Sequence, residues 1–190
     1  MTKPTLVVLA AGMGSRYGGL KQMDPVGPSG EFVLDYSVFD AVRAGFGKVV
    51  FVIRGEFEEV FRESVVSRYA GRIEVELAEQ SLDDLPGGYE VPEGREKPWG
   101  TGQAIWAARD AVREPFLVVN ADDFYGREAF AEMGAWLAES GRDSGIRCSL
   151  VAYALRNTVS ENGTVSRGIC EVDAGGRLVS VEECTEIGSA

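Results

Sequence analysis

Leu6-Val7-Val8-Leu9-Ala10-Ala11-Gly12-Met13-Gly14-Ser15-Arg16-Tyr17-Gly18-Gly19-Leu20-Lys21-Gln22 is the stretch on which the reading of this chain turns. Leu6 to Ala11 is an apolar run too short to cross a membrane and bounded at once by glycine, which reads as a buried parallel strand. The chain must then turn sharply. Gly12 and Gly14 take positive φ without steric cost and carry no side chain to keep a ligand off the backbone, so consecutive amides there can face an anion. Arg16 follows with a planar fork suited to bidentate phosphate binding, and Lys21 with a point charge on a flexible stem. The expectation is a cradle able to neutralise a triphosphate.

The string is not the dinucleotide fingerprint, because Tyr17 stands where a third glycine belongs and no acidic residue follows at the expected distance after a second strand. It is not a Walker A loop either, since no Ser or Thr follows Lys21 at the required spacing. The 190 residues carry a net charge of −11, which argues against a nucleic-acid or anionic-membrane partner and requires any polyphosphate site to be a local positive pocket assisted by a metal ion. The chain contains no histidine, which removes Ser/His/Asp and Cys/His catalysis and histidine-ligated zinc and leaves carboxylates, Lys and Arg as the chemical groups. Cys148, Cys170 and Cys184 are odd in number, show no C-x-x-C spacing and read as reduced thiols. No basic stretch followed by a long apolar region opens the chain, so neither a signal peptide nor a membrane span is expected and the predicted location is cytoplasmic.

After a Pro- and Gly-rich crossing from Met23 to Glu31, the apolar spacing predicts a helix over Phe32 to Ala44 stopped by Gly45 and Gly47, and a strand over Lys48 to Ile53. A strand, long crossover and second strand make a βαβ unit and a parallel sheet. A helix is expected over Phe57 to Tyr69 and a third strand over Arg72 to Ala78. Gln80 to Gly102 is rich in Pro, Gly and acidic residues and far longer than an ordinary connection, as binding loops and lids are. Lys97-Pro98-Trp99-Gly100-Thr101-Gly102-Gln103-Ala104 closes it and opens a helix running through Trp106 to Ala111, with Thr101 as the expected cap and the helix start suited to a base edge or a phosphate. Pro115 to Asn120 is the fourth strand. Asp122 and Asp123 follow it directly, where open α/β sheets bind ligands, and offer the hard oxygens that Mg²⁺ takes. A helix over Glu128 to Glu139, a strand over Cys148 to Leu155, and a hairpin of Gly168 to Asp173 and Arg177 to Glu183 across Ala174-Gly175-Gly176 complete the predicted elements.

Leu9-Ala10-Ala11-Gly12-Met13-Gly14-Ser15-Arg16 followed by Leu20-Lys21-Gln22 resembles the signature of the sugar-phosphate nucleotidyltransferases, the family of glucose-1-phosphate thymidylyl- and uridylyltransferases. The resemblance implies a Rossmann-like, GT-A-like α/β fold of three αβα layers with a mostly parallel central sheet. In that family a Gln closing the third strand and a G-x-x-x-A element at the next helix hold the base, which assigns nucleotide binding to Gln80 and to the Gly100 to Ala104 segment, with Gly100, Thr101 and Gly102 as the binding residues. Asn120-Ala121-Asp122-Asp123-Phe124-Tyr125-Gly126 resembles the family's G-D-N-x-F-Y-G segment, giving the metal to Asp122 with Asp123 beside the substrate. The hairpin resembles the segment that frames the sugar phosphate, with Gly168 and Glu183 on matching positions. The lysine and proline expected next are Cys184 and Thr185.

The implied reaction is transfer of a nucleoside monophosphate from an NTP to a sugar 1-phosphate with release of pyrophosphate, as in NDP-sugar biosynthesis. Arg16, Lys21 and Asp122 are then the catalytic groups, Leu9 to Arg16 the phosphate cradle and Mg²⁺ the cofactor. The expected partners are the NTP and a phosphorylated small-molecule acceptor, with a homo-oligomer left open. Family members usually continue well past the length seen here, so the expectation for residues 1–190 is a single nucleotidyltransferase domain lacking the C-terminal part. Two alternatives stay open: a non-sugar acceptor such as choline phosphate or a pterin cofactor, which the missing lysine favours, and a regulatory module that binds nucleotide without catalysis.

Overall fold

The computed structural model of the chain describes residues 2–12, 23–140 and 145–188. The chain divides into two compact units, Met1–Gly145 and Ile146–Ala190. In the first, β1 (Thr5–Leu9), β2 (Lys48–Ile53), β3 (Glu74–Glu79) and β4 (Phe116–Asn120) form a parallel sheet of order β3-β2-β1-β4. Alternate residues of the central strands point to opposite faces. Leu6, Val8, Val49 and Phe51 pack with Leu34 and Val38 of α1 (Val33–Arg43), Phe61 of α2 (Glu58–Ser64), and Phe130 and Leu137 of α4 (Arg127–Ser140). Val7, Val50, Val52 and Ala78 pack with Ala104 of α3 (Thr101–Ala107) and with Ala108. Both faces of β1 and β2 are therefore covered, which is why these strands read as unbroken apolar runs. The result is the expected three-layer α/β fold.

Local sequence sets the helix ends. Asp35 takes the otherwise orphaned N–H of Phe32 at 2.8 Å and also accepts from Arg68 at 2.7 Å and from the Tyr69 hydroxyl, so one carboxylate fixes the start of α1. Burial and the Asp35 charge push the Tyr69 phenol up, keeping it a donor. At the other end Gly45 sits at φ 91°. The N–H of Phe46 reaches Ala41 O at 3.0 Å and that of Gly45 reaches Val42 O at 3.2 Å, the paired bonds of a Schellman stop.

Three expected elements differ. Phe57 to Tyr69 is not one helix: a 3₁₀ turn over Gly55–Phe57 precedes α2, and a second over Val66–Tyr69 follows it. The β-branched pair Val65-Val66 and the bond from Ser67 Oγ to Glu63 O at 2.6 Å disfavour a continued α-helix, and the tighter turn brings the Tyr69 ring onto Phe51. Thr101 is the first residue of α3 rather than its cap, a place taken by Gly100 with no side-chain cap bond. That helix ends at Ala107, and Ala108 to Ala111 continue as turns. Cys148 to Leu155 forms no strand among the described residues, since no neighbouring segment pairs with it, and a 3₁₀ turn over Leu155–Asn157 follows.

The second unit contains the antiparallel hairpin of β5 (Val165–Val172) and β6 (Leu178–Ile187), longer than expected at its open end and one residue shorter on each strand at the turn. Its turn is closed by Asp173 Oδ1, which accepts from the N–H groups of Gly175 at 2.9 Å and Arg177 at 2.8 Å. Among the described residues no helix is long and apolar enough to cross a membrane.

Two stability tests follow from this packing. A Cβ on Gly134 of α4 would lie 2.8 Å from the backbone oxygen of Ala44, so Gly134→Ala is expected to cost about 1–3 kcal/mol, read as a lowered Tm. At the amino edge of the sheet, Glu114 accepts from the Arg113 N–H at 3.2 Å and from Thr5 Oγ1 at 3.0 Å, with Lys48 at 3.6 Å. These bonds, the Arg113 N–H first, hold its pKa below the ordinary 4.5. A depressed folded-state pKa stabilises above the unfolded value, and that stability is lost as pH falls through the folded one. The Tm advantage of the parent over Glu114→Gln should therefore be full at neutral pH and shrink progressively below about pH 4.5.

Candidate active site

β1 is the reference for everything at the carboxyl edge of the sheet. Leu9 is in register with Val52 on one side and Asn120 on the other, and Val52 with Ala78. The chain builds β2 and β3 on one flank of β1 and then adds β4 on the other, so its direction reverses between β1 and β4. The crevice outside the carboxyl ends at such a reversal is where open α/β sheets bind ligands. Ala10 donates to Val52 O at 2.8 Å and Ala121 to Leu9 O at 3.1 Å, carrying the ladder one residue past the strand ends. Ala10, Ala11 and Ala121 are buried, which seats Gly12 and Asp122 on adjoining strands at the reversal. Met13, Gly14, Ser15, Arg16 and Lys21 lie outside the described residues.

The two aspartates after β4 have different surroundings. Asp123 Oδ2 accepts from Asn120 Nδ2 at 2.9 Å and from the Tyr125 hydroxyl at 3.4 Å, and that hydroxyl itself accepts from the Asn120 N–H at 2.9 Å. The Tyr125 ring is buttressed edge-on by Phe130, and Phe124 meets Tyr36 of α1. Asp123 thus ties the turn to the strand end. Asp122 is exposed, and among the described residues its carboxylate has no hydrogen-bond or ion-pair partner. The carboxylate left available to a ligand is the one the sequence assigns to the metal.

On the other flank, Gln80 extends the ladder from β3 by donating its N–H to Ile53 O at 2.7 Å. Its side chain donates to Trp99 O at 3.2 Å and to Gln103 Oε1 at 2.8 Å. Gln103 in turn donates to Ser81 O at 3.1 Å and Asp84 O at 2.9 Å, and the Trp99 indole to Leu82 O at 2.9 Å. Asp84 is paired with Arg109 at 2.6 Å, and its hydrogen bond pushes the Arg109 pKa up. The Arg95 guanidinium stacks on Trp99 at 3.6 Å. The long connection is therefore pinned at both ends and folded over a cleft of about 290 Å³ bounded by Arg54, Glu79, Gln80 and Trp99. Gln80 is thereby brought beside the Trp99-Gly100 segment. Sequence reading singles out neither Gln103 nor Tyr125 by itself, although both stand inside the quoted motifs, because their backbone and side-chain partners are brought near only by the fold.

In the second unit Gly168 is directly opposite Glu183, so the two residues assigned to the acceptor share one rung of the hairpin. Arg167 is opposite Cys184, the position that lacks the expected lysine. Its guanidinium donates to Ser166 O at 2.8 Å and Thr158 O at 2.6 Å. A cation is present on the neighbouring strand at that rung, a pairing invisible before the register is known.

The chain belongs to the nucleotidyl transferase family, which it matches over residues 5–183. Among solved structures it is similar to UDP-glucose pyrophosphorylase complexed with UDP-glucose, at 18% identity and a TM-score of 0.55 over 99% of this chain and 70% of that one. Similarity extends to Rv0371c from Mycobacterium tuberculosis H37Rv (20% identity, TM-score 0.48, 72% of this chain and 62% of that one). It extends also to the inositol-1-phosphate CTP transferase from T. maritima (17%, 0.49, 68% and 47%). The chain thus spans less than two thirds of the length of these last two proteins. No curated protein matches it.

The amide network makes the 80–100 connection testable. Gln103→Ala removes one acceptor and two donors from it, which should cost about 1–3 kcal/mol and expose the Arg95-Glu96 bond to trypsin. Limited proteolysis of the parent and variant, read by mass, is expected to show faster cleavage after Arg95 in the variant.

Proposed function

We propose that this chain transfers a nucleoside monophosphate from an NTP to a phosphorylated small-molecule acceptor, a sugar 1-phosphate first, releasing pyrophosphate. The observation that carries the reading is the unpartnered Asp122 at the carboxyl end of β4, beside the end of β1 from which the glycine loop departs. Membership of the nucleotidyl transferase family supports it. On this reading all 190 residues act as one nucleotidyltransferase domain.

In the reaction an acceptor phosphate oxygen attacks the NTP's α-phosphorus, the bond from that phosphorus to the bridging oxygen breaks, and pyrophosphate leaves. A phosphate monoester is already anionic near neutral pH, so the absence of histidine from the chain is no obstacle. The protein's task is positioning and neutralisation of charge. The Gly12 and Gly14 amides and Arg16 hold the β- and γ-phosphates, and Lys21 meets the charge that develops on the α-phosphate. Gln80 and the Gly100 to Gly102 segment receive the base. Gly168 and Glu183 serve the acceptor. Mg²⁺ fits the donor set: Asp122 is an exposed hard-oxygen ligand, and this ion takes one or two carboxylates together with substrate phosphates. Among the described residues no cluster of three or more His, Cys, Asp or Glu side chains could hold a metal, and none is needed for an ion shared with the substrate. When bound, Mg²⁺ would neutralise phosphate charge. Cytoplasmic location belongs to the same proposal.

A non-sugar acceptor is the second reading, favoured by Cys184 in place of the expected lysine. An acceptor panel of sugar 1-phosphates, choline phosphate and a pterin cofactor, scored by pyrophosphate release, separates the two. In the same assay Asp122→Ala and Lys21→Ala are expected to lower turnover on the order of 10²- to 10³-fold with unchanged circular dichroism. Parent-level turnover in both variants would overturn the assignment.

A further inference from the structure

The cleft under residues 80–100 carries acceptors that the phosphate chemistry does not use. Its volume of about 290 Å³ lies at the small end of ligand pockets and suits one ring system. Its wall includes Glu56, Glu79, Asp83 and Glu96, with Trp99 as an aromatic side. Among the described residues that line it the one cation, Arg54, is paired with Glu56 at 3.1 Å. Glu79 is folded over Gly55, where a Cβ would come within 2.4 Å of its Oε1, so the lack of a side chain at 55 makes room for this carboxylate.

The decisive group is Gln80, which lines the cleft and is 8% exposed. Its amide orientation is fixed by groups that can only accept or only donate. Gln103 Nε2 donates to two backbone carbonyls, so Gln103 Oε1 is left as the acceptor for Gln80 Nε2, and the carbonyl of Trp99 takes the second N–H of Gln80. Both Gln80 donors are spent. Gln80 Oε1 has no donor among the described residues and is not sealed from solvent. The Trp99 indole N–H is likewise spent, on Leu82 O. What the side chains of this wall offer a ligand is mainly acceptors, the Gln80 carbonyl oxygen and four carboxylates, with the Ser81 hydroxyl able to donate or accept.

Resting on the nucleotidyltransferase reading above, we propose that this cleft receives the nucleotide base and selects the guanine edge over the imide edge of uracil or thymine. Guanine presents two adjacent donors, N1–H and the 2-amino group, which match neighbouring acceptors. Uracil and thymine present one N–H between two carbonyl oxygens, and those oxygens would face acceptors and lose the hydrogen bonds they make in water. Adenine and cytosine, each with an amino donor beside a ring acceptor, rank between.

The test is titration calorimetry of the whole chain with GTP, ITP, ATP, CTP and UTP in the presence of Mg²⁺, repeated on Glu79→Gln, Asp83→Asn and Glu96→Gln. The parent is expected to bind GTP roughly tenfold to a hundredfold more tightly than UTP. ITP, which lacks the 2-amino group, should fall below GTP, and at least one variant should bring the GTP-to-UTP ratio towards one. Using the ratio cancels the general gain a polyanion makes when a carboxylate is neutralised. Equal or tighter binding of UTP in the parent, or a ratio unmoved by all three substitutions, overturns the base selection while leaving the nucleotide site standing. Failure of all five nucleotides to bind overturns the nucleotide reading itself, and this inference with it.

Discussion

The parallel register of β1 with its two neighbours is the constraint from which the candidate site takes its shape. Leu9, Val52, Ala78 and Asn120 form one row across the sheet, and Gly12, Gln80 and Asp122 stand just beyond it. The row is held from both faces: Leu6, Val7, Val8 and Val49 to Val52 are almost fully buried, so a one-residue slip of any central strand would turn packed side chains to the wrong layer. Core packing and site geometry are therefore the same property here. The reversal of strand order between β1 and β4 adds the crevice, because the helices that follow these strands need not cover the gap between them.

A second constraint is the accounting of amide groups in the 80–100 connection. A connection of this length is costly to order, and its backbone polar groups must be satisfied. Two glutamine side chains do much of this, taking the carbonyls of Ser81, Asp84 and Trp99, while the Trp99 indole takes that of Leu82. The same bonds set which atom of Gln80 faces the cleft. Ordering the loop and setting the hydrogen-bonding face it presents are thus one event, and a loop with the same length but other partners would present a different face.

Much of this was legible in the sequence where the signal is local. The run Leu6 to Ala11, the strand Lys48 to Ile53 and the stop at Gly45 follow from burial on both faces and from one residue's positive φ. The hairpin turn follows from Asp173 and two glycines. The position of Asp122 and Asp123 directly after β4 was legible because an apolar strand run precedes them. Legibility fails where tertiary partners decide. Apolar spacing over Phe57 to Tyr69 cannot reveal that Tyr69 must reach Phe51, which forces the tighter final turn. The β-branched and aromatic pattern of Cys148 to Leu155 looks like a strand, yet strands exist by pairing, and none is available to it among the described residues. Nor does any pattern identify Arg167 as the neighbour of Cys184, since a register is a property of two segments at once.

A chain with a net charge of −11 that is to bind a polyanion poses an electrostatic problem, and distance along the sheet resolves it. Screening at physiological ionic strength reduces exposed charges to about 8 Å of influence. Adjacent strands are about 4.8 Å apart, so the end of β3 lies roughly 10 Å from that of β1, beyond this range. Carboxylates around Gln80 can therefore shape the proposed base pocket without much repelling phosphates seated at the end of β1. At the amino edge Lys48 is spent on Glu76 at 3.2 Å and Glu114 at 3.6 Å. A nucleotide asks for cations at one end and, where its base carries donors, for acceptors at the other. An acidic chain can meet both demands by keeping its acceptors at the sheet's far edge, away from the end of β1.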